Sequence, residues 1–145
     1  MIGTSIVTRA ARRTRTRWAD FGANMSKRLH KGDESRRRWK IIDASRAGDA
    51  SLLPQLLARL DGDETYDNKR HIVRALGNIG GPRAEEKLIT LVGTQRGLIL
   101  VDIAHALGQI GSRPALPALK NLCNHELEWA RQNASFAVRK LTGSA

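Results

Sequence analysis

The residues able to do covalent or metal chemistry are few and far apart. Four histidines, His30, His71, His105 and His125, are scattered along 145 residues, and the single cysteine is Cys123. No Ser/His/Asp or Cys/His set has the spacing that brings a base to a nucleophile. Gly77-x-x-Gly80-Gly81 is glycine-rich, but no strand precedes it and no Gly-Lys-Ser/Thr follows, so it is not a phosphate loop. His125-Glu126 is an adjacent pair with no second copy and reads as a helix entry. Glu85-Glu86 suits the positive end of a helix dipole. Cys123 reads as a small buried apolar residue. One cysteine excludes an internal disulfide and fits a reducing compartment, so a cytoplasmic location is expected. No catalytic set and no metal site stand out, and no cofactor is implied.

Polyanion-binding chemistry is concentrated at one end. Residues 1–40 carry nine Arg and three Lys against Asp20, Asp33 and Glu34, a net of +9 out of the chain's +11. Arg9, Arg12, Arg13, Arg15, Arg17, Lys27, Arg28, Lys31, Arg36, Arg37, Arg38 and Lys40 lie here with Trp18 and Trp39. Arginine beside tryptophan suits phosphate neutralisation and base stacking. The same run also fits an anionic membrane surface, an organellar import presequence poor in acids, or a solvated basic tail. A loose apolar stripe over Ile6–Leu29 makes a marginal helix there. Gly32-Asp33 reads as a break and Ser35 as the cap of a helix starting near Arg36.

The elements that must position everything else come from a repeat. Ala75-Leu76-Gly77-Asn78-Ile79-Gly80 returns as Ala106-Leu107-Gly108-Gln109-Ile110-Gly111, 31 residues later. Ala84, Leu88 and Leu91 recur in step as Ala115, Leu119 and Leu122. A fixed period in this range marks stacked supersecondary units. The leading-helix core reads Ile72, Ala75, Leu76, Ile79, then Ile103, Ala106, Leu107, Ile110, then Ala134, Ala137, Val138, Leu141. Stepping back gives Ile41, Ala44, Ser45 and Gly48, a worn terminal copy. The spacing i, i+3, i+4, i+7 is one face of an α-helix. Gly80-Gly81-Pro82 and Gly111-Ser112-Arg113-Pro114 turn each leading helix into a second one, which presents Leu57 and Leu60, Leu88 and Leu91, or Leu119 and Leu122. The last leading helix is expected near Glu126–Leu141, and Asp61–Thr65 is an acidic inter-repeat loop. At 41% hydrophobic but 4% aromatic, the chain must build its core from aliphatic residues and alanine. No run approaches the length of a membrane span.

The blocks RHIVRALGNIGGPRAEEKLITL and VDIAHALGQIGSRPALPALKNL resemble short HEAT repeats of the phycobilisome-lyase-like type. The resemblance covers about residues 36–142. It implies an all-α, right-handed α-solenoid of about three and a half helical hairpins, with a basic arm at 1–33 and the solenoid at 34–145. The related deoxyhypusine hydroxylases bind iron through His-Glu pairs on leading helices. Here His71-Ile72, Val101-Asp102 and Gln132-Asn133 stand in those places, and the ligands are absent. Nothing marks a bilin site, so a lyase-subunit activity is not carried over.

A repeat scaffold without a catalytic set implies a binder. The second helices are expected to line a concave surface through Gln55, Arg59, Glu86, Lys87, Thr90, Lys120 and Asn121, mixed in charge and suited to a protein partner. His105 is expected on the outer face. Trp129 is expected either to cover the end of the stack or to serve as a stacking platform. The expected function is a non-enzymatic protein-binding adaptor, an accessory subunit of a larger assembly. Nucleic-acid binding through the arm and a lyase-type enzyme subunit are the alternatives.

Overall fold

A computed structural model describes residues 32–143, and all regular structure among them is helical. The chain divides into two compact units, Met1–Arg37 and Arg38–Ala145. In the first, only residues 32–37 are described, and they are helical. The expected helix over Ile6–Leu29 lies outside the described residues. Helix α1 covers 32–47, so Gly32-Asp33 is not a break and Ser35 is not a cap. One glycine costs a helix only about 1 kcal/mol, and the buried Ile41 and Ala44 further along anchor α1.

The second unit follows the 31-residue register. After α1 come α2 (Leu53–Asp61), α3 (Tyr66–Ile79), α4 (Pro82–Thr94), α5 (Ile99–Ile110), α6 (Leu116–Leu122) and α7 (Glu128–Thr142). Short 3-10 turns, Ala50–Leu52 and Arg113–Ala115, precede α2 and α6. Thus α1/α2, α3/α4 and α5/α6 are hairpins, and α7 is a closing leading helix.

The turns explain where helices stop. Gly111 takes the left-handed conformation at φ 81°, ψ 33°, as the end of α5 requires. Gly80 and Gly81 also have positive φ, and Pro82 opens α4, where its missing N–H has no intrahelical partner to lose. Thr65 caps α3 by accepting from the Asn68 N–H. The His125 ring accepts the Leu127 N–H at 3.0 Å, which makes His125-Glu126 the entry to α7.

The core is one continuous seam. Ile72, Ala75, Leu76, Ile103, Ala106, Leu107, Ala134 and Ala137 are buried, with Ile79, Ile110, Val138 and Leu141 partly buried against them. In the first copy the pattern fades: Ser45 is half-buried and Gly48 is exposed. Along the second helices Leu60, Leu88, Leu91, Leu119 and Leu122 are buried, but in α2 it is Leu56 that goes fully inside and Leu57 only partly. Val92 and Cys123, one period apart, are both partly buried against the same core.

Successive leading helices pack closely, and the signature glycines are the reason. A Cβ on Gly77 would sit 2.8 Å from the Ala106 Cβ and 2.9 Å from its Cα. A Cβ on Gly108 would sit 3.0 Å from the Ala137 Cβ. The glycine of each Ala-Leu-Gly therefore receives the small residue at the alanine position one copy on. In α1 and α7 that glycine position holds Arg46 and Arg139.

Candidate interaction surface

The leading helices share one register-equivalent strip that is largely exposed. In register, the strip runs through Trp39 on α1, then Asp67, Arg70, Arg74 and Asn78 on α3. It continues through Leu98, Val101, His105 and Gln109 on and before α5, and Trp129, Gln132, Phe136 and Lys140 on α7. Among the described residues, most of the large apolar side chains that stand in solvent lie on it: Trp39 (61% exposed), Leu98, Trp129 (65%) and Phe136 (60%). Tyr66, at the start of α3, is the other, but its hydroxyl is engaged. It accepts from the Ile99 N–H at 3.0 Å and donates to the Arg96 carbonyl at 3.4 Å, tying the α4–α5 turn to α3. His105 is exposed on the outer strip, as its position beside Ala106 predicts.

A charged clamp crosses the seam between α3 and α5. Asp102 is buried and accepts from Arg70 Nε at 2.6 Å and from Arg74 Nε at 2.8 Å. The hydrogen bond to Asp102 raises the pKa of Arg70, against the opposing effect of burial. His71 lies beside the clamp, and its pKa is lowered, first by desolvation and then by the positive charges of Arg74 and Arg38. Buried Asn68 accepts from Arg38 at 3.4 Å and donates to Glu64 at 2.9 Å. A polar ladder runs along the ends of the leading helices: Gln109 donates to Asn78 at 2.7 Å and Asn78 donates to Ser45 at 2.6 Å.

These contacts were not read from the sequence. Their signals were present in two forms. The variable position of Ala-Leu-Gly-x-Ile-Gly is a side-chain amide in both copies, and Asp102 occupies a position equivalent to His71 and Asn133, facing the previous leading helix. Ser112, buried in the turn after α5, donates to Glu85 at 2.5 Å, so that acid does more than complement a helix dipole.

The second-helix residues are laid out differently. Gln55, Glu86, Lys120 and Asn121 are exposed. Arg59 is half-buried and ion-paired to Glu64 at 2.8 Å, and Lys87 is ion-paired to Asp61. The Thr90 hydroxyl donates to the Glu86 carbonyl at 3.0 Å. Of the basic set, Arg36, Arg37, Trp39 and Lys40 are exposed and Arg38 is half-buried. Arg9, Arg12, Arg13, Arg15, Arg17, Trp18, Lys27, Arg28 and Lys31 lie outside the described residues.

Two hollows mark the edges of the second unit. One, of about 390 Å³, lies between α1 and α2 and is lined by Ile41, Ala44, Ala47, Leu52 and Leu56 with Lys40, Asp43, Gln55 and Arg59. The other, of about 600 Å³, lies on α7 and is lined by Arg131, Gln132, Asn133, Ser135, Phe136 and Arg139, with Cys123 beneath. Among the described residues, no helix is long and apolar enough to cross a membrane.

Stacked helical hairpins joined through a Gly-to-Ala seam at a fixed period define a helical-repeat scaffold. Residues 53–139, more than half of the chain, match the HEAT repeats family, and the chain belongs to it. No curated protein matches it in sequence.

Proposed function

We propose that this chain is a non-enzymatic HEAT-repeat adaptor that binds a protein partner, as an accessory subunit of a larger assembly. The observation that carries the reading is the row of exposed apolar side chains, Trp39, Leu98, Trp129 and Phe136, on the outer strip of the leading helices. Aromatic side chains gathered on one face are what protein interfaces use as anchors. The second-helix set Gln55, Arg59, Glu86, Lys87, Thr90, Lys120 and Asn121 is proposed as a polar contact region for the same partner, with Arg59 and Lys87 first having to leave their ion pairs. The test is site-specific photo-cross-linking in the cells that make the protein. A photo-reactive residue at Gln132 should yield one discrete protein adduct that Trp129→Ala abolishes. Absence of any adduct from Gln132, Gln55 and Asn121 alike would end this reading.

A second reading rests on the net charge of +9 in residues 1–40, which suits nucleic-acid phosphates. Affinity for random duplex should fall steeply with salt, and the slope should flatten when Arg12, Arg13 and Arg15 become Gln. A salt-independent or absent affinity removes it. The lyase-like subtype rests on the doubled Ala-Leu-Gly-x-Ile-Gly alone, and a lyase-subunit role would require bilin transfer with a partner chain.

A further inference from the structure

The edge that closes the stack is unlike the seams inside it. On α3 the residues that share the face of Gly77 are Lys69 and Val73, and on α5 those that share the face of Gly108 are Leu100 and Ala104. Val73, Leu100 and Ala104 are fully buried under the next leading helix. One period on, the same face of α7 reads Arg131, Ser135 and Arg139, and it borders the 600 Å³ hollow. Arg139 stands where the contact glycine would be, so a helix of the usual repeat cannot come down on α7 at the usual distance. Beside this basic edge stand Phe136, which lines the hollow, and Trp129, two turns earlier on the same stripe of α7. Leu98 and partly buried Val101 extend the apolar strip onto α5.

We propose that this surface, from Trp129 and Phe136 to the Arg131/Arg139 edge, docks an acidic amphipathic helix of a partner protein; the inference rests on the adaptor reading and names the chemistry of the partner. Aliphatic side chains of the incoming helix cover Trp129, Phe136 and Leu98, and its carboxylates reach exposed Arg139 at the hollow, while Arg131 lines it with its guanidinium donating to the His125 and Glu126 carbonyls. The α3–α5 seam shows arginine on one leading helix taking up a carboxylate from another, where Asp102 accepts from Arg70 and Arg74. Long arginine side chains in place of a glycine set a wider, wetter contact than the internal seams. Binding is therefore of moderate strength and sensitive to salt. Exposed Arg139 and Lys140 at this edge favour an acidic partner over a second copy of the same basic edge.

The probe is a fluorescein-labelled helical peptide with Leu at i, i+4, i+7 and i+11 flanked by Glu, paired with a twin carrying Lys for Glu. Anisotropy titrations use the full-length chain at about 50 mM and about 300 mM salt. The Glu peptide should bind, the Lys peptide should bind at least about tenfold more weakly, and the gap should narrow at the higher salt. Trp129→Ala and Phe136→Ala should each weaken the Glu peptide about tenfold, as loss of an aromatic anchor does. Arg139→Glu should weaken the Glu peptide and strengthen the Lys peptide. Trp129 and Phe136 are exposed, so the circular-dichroism melts of their variants should match the parent, while Arg139→Glu, which reverses a charge in the last turn of α7, should lower the melt by only a few degrees. If the two peptides bind alike, or if none of the three substitutions changes the Glu-peptide affinity, the proposal is wrong; in the second case the basic residues 1–40 hold the peptide. If the chain sediments as a dimer that Trp129→Ala dissociates and no peptide binds, the surface is a self-association face instead. An adduct at Gln132 in cells without acidic-peptide preference would leave the adaptor reading standing and overturn only this one.

Discussion

The α3–α5 seam and the α5–α7 seam are built on the same backbone device and finished with different chemistry. Each sets a glycine of one leading helix against a small residue of the next, Gly77 on Ala106 and Gly108 on Ala137. At the rim of the first, Asp102 ties together Arg70 and Arg74. At the rim of the second, the equivalent positions hold Val101, His105 and Asn133, and the Asn133 amide turns back to its own helix, donating to the Trp129 carbonyl at 2.9 Å. The repeat therefore dictates helix spacing, while the rim is free to vary. Where the charges leave the rim, apolar and aromatic side chains appear on the surface beside it, at Leu98, Trp129 and Phe136.

The largest expected effect tests the shared device. Gly77→Val puts a branched side chain where even a Cβ comes within 3 Å of Ala106. Overpacking should outweigh the small gain in helix propensity of Val over Gly and cost about 3 kcal/mol or more, read as a fall in the urea midpoint.

A finer comparison uses alanine at both seams. Ala gains about 1 kcal/mol over Gly in a helix interior, and a tight fit costs about 1–3 kcal/mol. At Gly77 the obstacle includes the Ala106 Cα at 2.9 Å, whereas at Gly108 the Ala137 Cα is 3.4 Å away. Gly77→Ala should therefore destabilise the chain by about 1–2 kcal/mol, while Gly108→Ala should be close to neutral. Equal effects at the two sites would mean that the seams are not different in tightness.

The rims differ by a smaller amount. Asp102→Asn leaves two guanidiniums without their carboxylate, but Arg74 is 49% exposed and can turn to water. A loss of about 1–2 kcal/mol is expected, against a change within about 0.5 kcal/mol for Asn133→Ala.

The smallest effect is a pH dependence carried by His71, on the side of α3 that faces α1. The folded-state pKa of His71 is lowered by burial and by Arg74 and Arg38. The unfolded chain therefore takes up a proton at a higher pH than the folded one does. The His71 term costs no stability above the ordinary imidazole value of about 6.5 and grows as pH falls from there toward the lowered value. His71→Gln should flatten the acid side of the stability profile in that window. An unchanged slope would place the titration elsewhere.

The period, the hairpins and the aliphatic seam were legible in the sequence because Ile72, Ile103 and Ala134 recur at one spacing and on one helix face. The tight contact was also written there, in the recurrence of Gly77 and Gly108, but glycine in a helix reads as a turn signal until the neighbour across from it is known. The clamp was harder to find. Asp102 lies 28 and 32 residues from its two partners, and its choice of Arg70 and Arg74 depends on the rotation of α3 against α5. The outer strip was legible only in part. His105 reads as an outer-face residue from its register, but Trp129 reads as a cover for the end of the stack or as a stacking platform, and Leu98 and Phe136 look like core residues until burial is known.

The stack depends on direct contact between the Ala-Leu-Gly glycine of one copy and the alanine of the next. A double-mutant cycle on Gly77→Ala and Ala106→Gly, followed by urea denaturation, measures it. Each single change should destabilise the chain, and the double variant, which only moves a methyl group across the seam, should be more stable than the sum of the singles by at least about 1 kcal/mol. Strictly additive losses would mean that these two positions do not touch, and the stacking described above would be wrong.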